Sequence, residues 1–175
     1  MFASAKEQEF FLDWYERAKV GNFEAEKQFF YFYALFNHLF TSYASQHEEI
    51  LKSQGLKLEN NERSKIKYYL SCMLYTEKSS LFYSFNPLSM LVRNHQTRLI
   101  ESLKTKYKLD IKDEDLTPTK LPSFLIMVAL FMEIYDIRCD LFHGSADLSN
   151  SDKSELIKEA NTVLDDFLSR LLSNL

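Results

Sequence analysis

The chain has 175 residues, 46% of them hydrophobic, a formal charge of −4 and only three glycines and three prolines. That length suits one domain, residues 1–175, with enough apolar content to bury a full core. So few turn-forming residues exclude a β-sandwich or barrel and the glycine-rich loops that cradle phosphates, which leaves an all-α domain.

The N-terminal "MFASAKEQEF" has no basic start followed by an apolar core, so it does not read as a secretory signal. Helical periodicity places a first helix at about Ser4–Lys19, with Phe10, Phe11, Trp14, Tyr15 and Ala18 on one face and Gly21 as its stop. Asn22 is the expected cap of a second helix that runs to about Ser53 and is apolar nearly all round from Phe29 to Phe40, which puts it at the centre of the fold. That run is about a dozen residues long and contains Asn37 and His38, too short and too polar for the roughly 20 residues of a membrane span. A third helix follows the Asn60–Asn61 cap, and Pro87 starts a fourth that ends near Tyr107. After the polar "LDIKDEDLTPTKLP", a fifth helix runs from about Pro122 to His143. Ser149 and Asp152 have capping-box spacing at the head of a sixth, whose Leu156, Ala160, Val163, Leu164, Phe167, Leu168 and Leu171 form one stripe.

Cys72 and Cys139 lie far apart in apolar patterns with no C-x-x-C pair, so neither a zinc knuckle nor a disulfide framework is indicated and a reducing cytoplasm is expected. No histidine and carboxylate spacing suggests a metal, and no cofactor is expected. Residues 1–50 hold eight acids against four bases, and residues 133–166 hold nine against three. From Arg93 to Lys108 the balance reverses: Arg93, Arg98, Lys104, Lys106 and Lys108 face Glu101 alone. This run is either a phosphate-facing surface, with Arg93, Arg98 and Lys104 as candidates, or a solvated helix face.

The stretch "IYDIRCDLFHGSAD" at 134–147 carries the strongest chemical signal. Arg138 has Ile134, Tyr135, Leu141 and Phe142 at its three- and four-residue neighbours, so no acid on its own helix can pair with it. Either another helix supplies a carboxylate, or Arg138 opens onto a pocket for an anion. His143 lies five residues on, about 140° around an ideal helix. Gly144 is the expected C′ residue; a tightened last turn would swing His143 toward Arg138 or a second copy, whereas an undistorted one leaves it at the helix dipole. Asp140, three residues before His143, could orient the imidazole. Asn37 and His38 are either satisfied core polar groups or project into the same cleft as the fifth helix.

The R-x4-H pattern of Arg138 and His143, closing an apolar helix and followed by Gly-Ser and an amphipathic final helix, resembles the signature of HEPN domains (higher eukaryotes and prokaryotes nucleotide-binding). "IYDIRCDLFHG" is similar to the form found in small bacterial members, and "YALFNHLFTSY" to their earlier central helix. The resemblance implies an up-and-down bundle of about five to six helices, dimerised so that two motifs face each other. It further implies a metal-independent endoribonuclease of toxin or defence type, restrained by an antitoxin or other regulatory protein. His143 would be the general acid or base, Arg138 would stabilise charge on the phosphate, and Asp140, Asn37 and His38 would support them. The alternative is a non-catalytic HEPN-fold module that binds RNA, a nucleotide or a partner without cutting. Asp140 stands where many members have asparagine, and Ser145 where some have a modifiable tyrosine.

Overall fold

A computed structural model describes residues 4–55, 57–75, 85–118, 123–144 and 150–173. They form α1 (Ala5–Val20), α2 (Ala25–Ser53), α3 (Glu62–Tyr75), α4 (Pro87–Arg93), α5 (Arg98–Lys106), a 3-10 turn (Asp113–Leu116), α6 (Phe124–Phe142) and α7 (Ser151–Leu172), with no strand among the described residues. The protein is an all-α helical bundle.

The all-round apolarity of α2 has the consequence expected of it. α2 lies against α1, α3 and α7, while α6 rests on α3 and α5, and α7 also covers α4 and α5. At the centre, Phe36 of α2 meets Phe131 of α6 at 5.0 Å and Phe167 of α7 at 5.8 Å, and Tyr69 of α3 and Phe85 pack on Phe167 from the other sides. Buried side chains from all seven helices join this cluster, whose edge-to-face ring contacts add to plain burial.

The helix ends depart from the sequence reading in three places. Asn22 does not cap α2: Glu24 occupies the cap position without a side-chain bond. The chain instead turns tightly, with the Phe23 N–H donating to the Gly21 carbonyl at 2.8 Å and the Phe23 ring stacked on Tyr31 at 5.1 Å. A Cβ at position 21 would sit 2.1 Å from that ring, so this close approach demands glycine.

The expected fourth helix is two. α4 ends in a Schellman arrangement, in which the His95 N–H bonds the Val92 carbonyl (3.0 Å) and the Gln96 N–H reaches the Leu91 carbonyl (2.7 Å). Its left-handed residue is His95, at φ 56°, where glycine would normally announce the stop. α5 then starts without a side-chain cap of its own; the buried Glu159 of α7 accepts from the Arg98 and Leu99 N–H groups at 2.8 and 2.6 Å. Burial pushes that carboxyl's pKa up, against the pull of the backbone donors. Last, α7 is capped by Asn150, whose side chain accepts from the Asp152 N–H at 2.9 Å; the expected Ser149 lies outside the described residues.

Candidate functional site at the end of α6

Ser123 caps α6, its hydroxyl accepting from the Ile126 N–H, and the apolar sequence that follows keeps the helix in the core as far as Ile137. The last turn then emerges at the surface. Arg138 and Cys139 are half-buried, Asp140, Phe142 and His143 are exposed, and Gly144 takes φ 65° as the left-handed C′ residue.

Of the alternatives open for Arg138, the acid on another helix is present. Glu62, in the first turn of α3, places Oε2 3.7 Å from Arg138 Nη1. That separation is an ion pair longer than a hydrogen bond. Nη1 also lies 4.0 Å from Cys139 Sγ, while Nε is buried with no partner among the described residues. The guanidinium lies over the Phe142 ring at 4.3 Å and 5.9 Å from the Tyr33 ring. Burial works against its charge, but Cys139 and the Glu62 carboxylate more than offset this, and the pKa is raised. Tyr33 likewise has a buried hydroxyl without a partner among the described residues, and burial together with Glu62 raises its pKa. Arg138 is therefore charged, partly exposed and, among the described residues, short of hydrogen bonds.

His143 is the C-cap residue of α6, with φ −86° and ψ 2°. Its N–H bonds the Cys139 carbonyl at 3.0 Å in the regular helical pattern, and the Gly144 N–H then bonds the Leu141 carbonyl at 3.4 Å, so the turn tightens only at the cap. Asp140 is exposed on the same turn. Two aromatic residues join the site instead. Phe142 is 59% exposed and meets the partly exposed Phe30 of α2 edge to face at 5.1 Å. The four-residue spacing from Arg138 to Phe142 is the signal that could have pointed to their contact; nothing in the sequence points to Glu62 or Phe30.

The remaining candidates lie elsewhere. His38 Nε2 is 2.7 Å from Glu7 Oε1 of α1, and Asn37 Oδ1 accepts from the Thr41 hydroxyl at 3.4 Å. Both line a hollow against α1, with none of the Arg138 contacts reaching them. In the basic run, Arg98 is bound by Glu101 at 3.0 Å and Asp152 at 2.8 Å. Lys106 bridges Glu133 and Asp136 at 2.6 and 2.7 Å, and Asp136 also accepts from Arg63 and from the Tyr107 hydroxyl. Arg93 and Lys104 are exposed. Two of the five bases of the run, Arg98 and Lys106, thus balance the protein's own acids, and Glu133 and Asp136 are met by α5 and by Arg63 of α3. Among the described residues no group of three metal-ligating side chains comes together, and no helix is long and apolar enough to cross a membrane.

No protein-family model, curated protein or solved structure matches the chain.

Proposed function

We propose that the end of α6 is a phosphate-handling site for RNA, and that the protein acts as a metal-independent endoribonuclease of the HEPN type when a second copy supplies another Arg138 and His143. One observation carries this reading: among the described residues the Arg138 Nε is buried without a hydrogen-bond partner and the nearest carboxylate contact is 3.7 Å, on a helix end that also carries an exposed histidine. A guanidinium short of hydrogen bonds is matched to the paired oxygens of a phosphodiester. Phosphate arriving at Arg138 would displace Glu62, while exposed Phe142 offers a ring on which a base can stack. His143 would take the 2′-hydroxyl proton or protonate the leaving 5′-oxygen, the proton exchange an imidazole is suited to. Each chain supplies one Arg138 and one His143, and five residues separate them by about 140° on an ideal helix, so a C2 dimer is the arrangement that brings both kinds of group to one phosphate.

Cleavage by this route leaves a 2′,3′-cyclic phosphate and a 5′-hydroxyl, persists in EDTA and fails on a strand deoxy at the cut site. Arg138→Ala and His143→Ala should each lower the rate by about 10²-fold or more with fold intact. Cleavage that His143→Ala leaves unchanged, or a protein monomeric by light scattering at tens of micromolar that still cuts, refutes the dimeric site. A second reading has its own observation: with Glu62 and exposed Asp140 near Arg138, the site would bind a nucleotide or partner without cutting. RNA binding abolished by Arg138→Ala, without cleavage of any RNA, would support that module.

A further inference from the structure

Tyr33 of α2 faces the end of α6, and the cleavage scheme leaves it unused. Its ring is held by Phe29, stacked at 5.8 Å, and by Phe36, edge to face at 6.2 Å, and the residue is only 4% exposed. Among the described residues its hydroxyl is buried without a partner, and so is Arg138 Nε, on a guanidinium 5.9 Å from the same ring. Burial and the Glu62 carboxylate raise the Tyr33 pKa while Arg138 pulls it down, so the hydroxyl keeps its proton and lies in the field of both charges. A guanidinium nitrogen only donates, and a protonated phenol has a hydrogen to donate as well. Glu62, the acid that answers Arg138, lies 3.7 Å from Nη1 and satisfies neither orphaned donor.

Burying a donor without an acceptor costs stability, so two such donors from different helices at one place call for an acceptor that the described residues do not supply. Tyr69 shows the contrast. Its hydroxyl is also buried and unpartnered, but it stands among the rings of Phe36, Tyr43 and Phe167, where burial and Tyr43, not a guanidinium, set its pKa.

We propose that the Tyr33 hydroxyl is a second phosphate-binding donor, which together with Arg138 grips the oxygens of one phosphate group. This rests on the reading of the end of α6 as a phosphate site and adds a residue that the R-x4-H pattern does not contain. The Arg138 and Glu62 side chains are 25% and 31% exposed, so Glu62 can turn to solvent as an anion takes its place at the guanidinium. One oxygen of that anion accepts from Tyr33 and another from Arg138, and both buried donors are satisfied. A hydroxyl kept for a ligand in this way weakens the empty fold and strengthens the bound one.

Tyr33→Phe keeps the ring and removes the hydroxyl alone. Without ligand it should raise the urea midpoint, because an unsatisfied buried group has gone, and Tyr69→Phe should raise it likewise. Phosphate binding separates the two. Isothermal titration of the full chain with inorganic phosphate should give a dissociation constant about tenfold weaker for Tyr33→Phe, as expected for one hydrogen bond to a charged acceptor, and an unchanged one for Tyr69→Phe. A thymidine dinucleotide, a phosphodiester without the 2′-hydroxyl, distinguishes the sources: binding tighter than that of phosphate assigns the pair of donors to a nucleic-acid strand, and binding no tighter assigns it to a free phosphate. Phosphate bound through Tyr33 with no RNA cleaved upholds this inference and removes the ribonuclease reading, whereas RNA cleavage by Tyr33→Phe at the wild-type KM does the reverse. Phosphate binding that Tyr33→Phe leaves unchanged, or that Tyr69→Phe weakens equally, overturns the proposal, as does a wild-type protein that binds no phosphate. So does a urea midpoint lowered by Tyr33→Phe, the mark of a hydroxyl already bonded to a buried water in the empty protein.

Discussion

Lys106→Met removes the cation that holds α5 against α6. Its Nζ lies 2.6 Å from Glu133 Oε2 and 2.7 Å from Asp136 Oδ2. Asp136 would keep Arg63 and the Tyr107 hydroxyl, but Glu133, only 5% exposed, would be left with the Ser102 hydroxyl among the described residues. Stranding one member of a fully buried ion pair costs about 3–5 kcal/mol. Lys106 is itself 47% exposed, so water can partly replace it, and the expected cost falls to roughly 2–3 kcal/mol. For a domain of this length that is a fall in Tm of roughly 5–10 °C. Urea unfolding followed by circular dichroism measures the loss, and a double-mutant cycle assigns it. Lys106→Met combined with Glu133→Leu should cost less than Lys106→Met alone, because the buried charge has gone with its partner. A loss below about 0.5 kcal/mol for Lys106→Met, or a double variant less stable than the single one, would refute the view that Glu133 depends on Lys106.

Phe167→Ala should cost about 3–5 kcal/mol by opening a cavity among Phe36, Tyr69, Phe85 and Phe131, while Arg138→Ala should cost on the order of 1 kcal/mol; equal losses in urea unfolding would make Arg138 a structural ion and not a site. His95→Gly should stabilise by about 0.5–1 kcal/mol, since the left-handed cap strains a side-chain-bearing residue by more than glycine loses in entropy, and a lower urea midpoint would contradict this. Because burial raises the Glu159 carboxyl above its ordinary 4.5, the native state holds that proton more tightly than the unfolded chain; its contribution is present in full below about pH 4.5 and declines as pH rises through the folded value. The stability of Glu159→Gln relative to wild type should therefore improve with rising pH across that window, and a constant or falling difference would show that the backbone donors outweigh burial.

The all-helical class was legible from composition and periodicity alone. A helix apolar on every side, such as α2 from Phe29 to Phe40, has nowhere to go but the middle, and the stripe on α7 can only face inward. Ser4, Asn61, Pro87 and Gly144 marked helix ends because their own backbone or side-chain geometry makes them ends, a local property. His95 and Glu159 show where local reading stops: the left-handed cap uses a residue with no glycine-like signal, and the α5 N-terminus is satisfied from 60 residues away. The same divide runs through the candidate site. The isolation of Arg138 from acids on its own helix was written in the sequence, because helical neighbours follow from spacing. That Glu62 would answer it, that Lys106 and Arg63 would neutralise Glu133 and Asp136, and that Glu7 would face His38 depended on which helices pack together. Charges that meet across helices are brought together by burial of the apolar faces, so their pairing is decided by tertiary structure, whereas periodicity records only which face each helix turns inward.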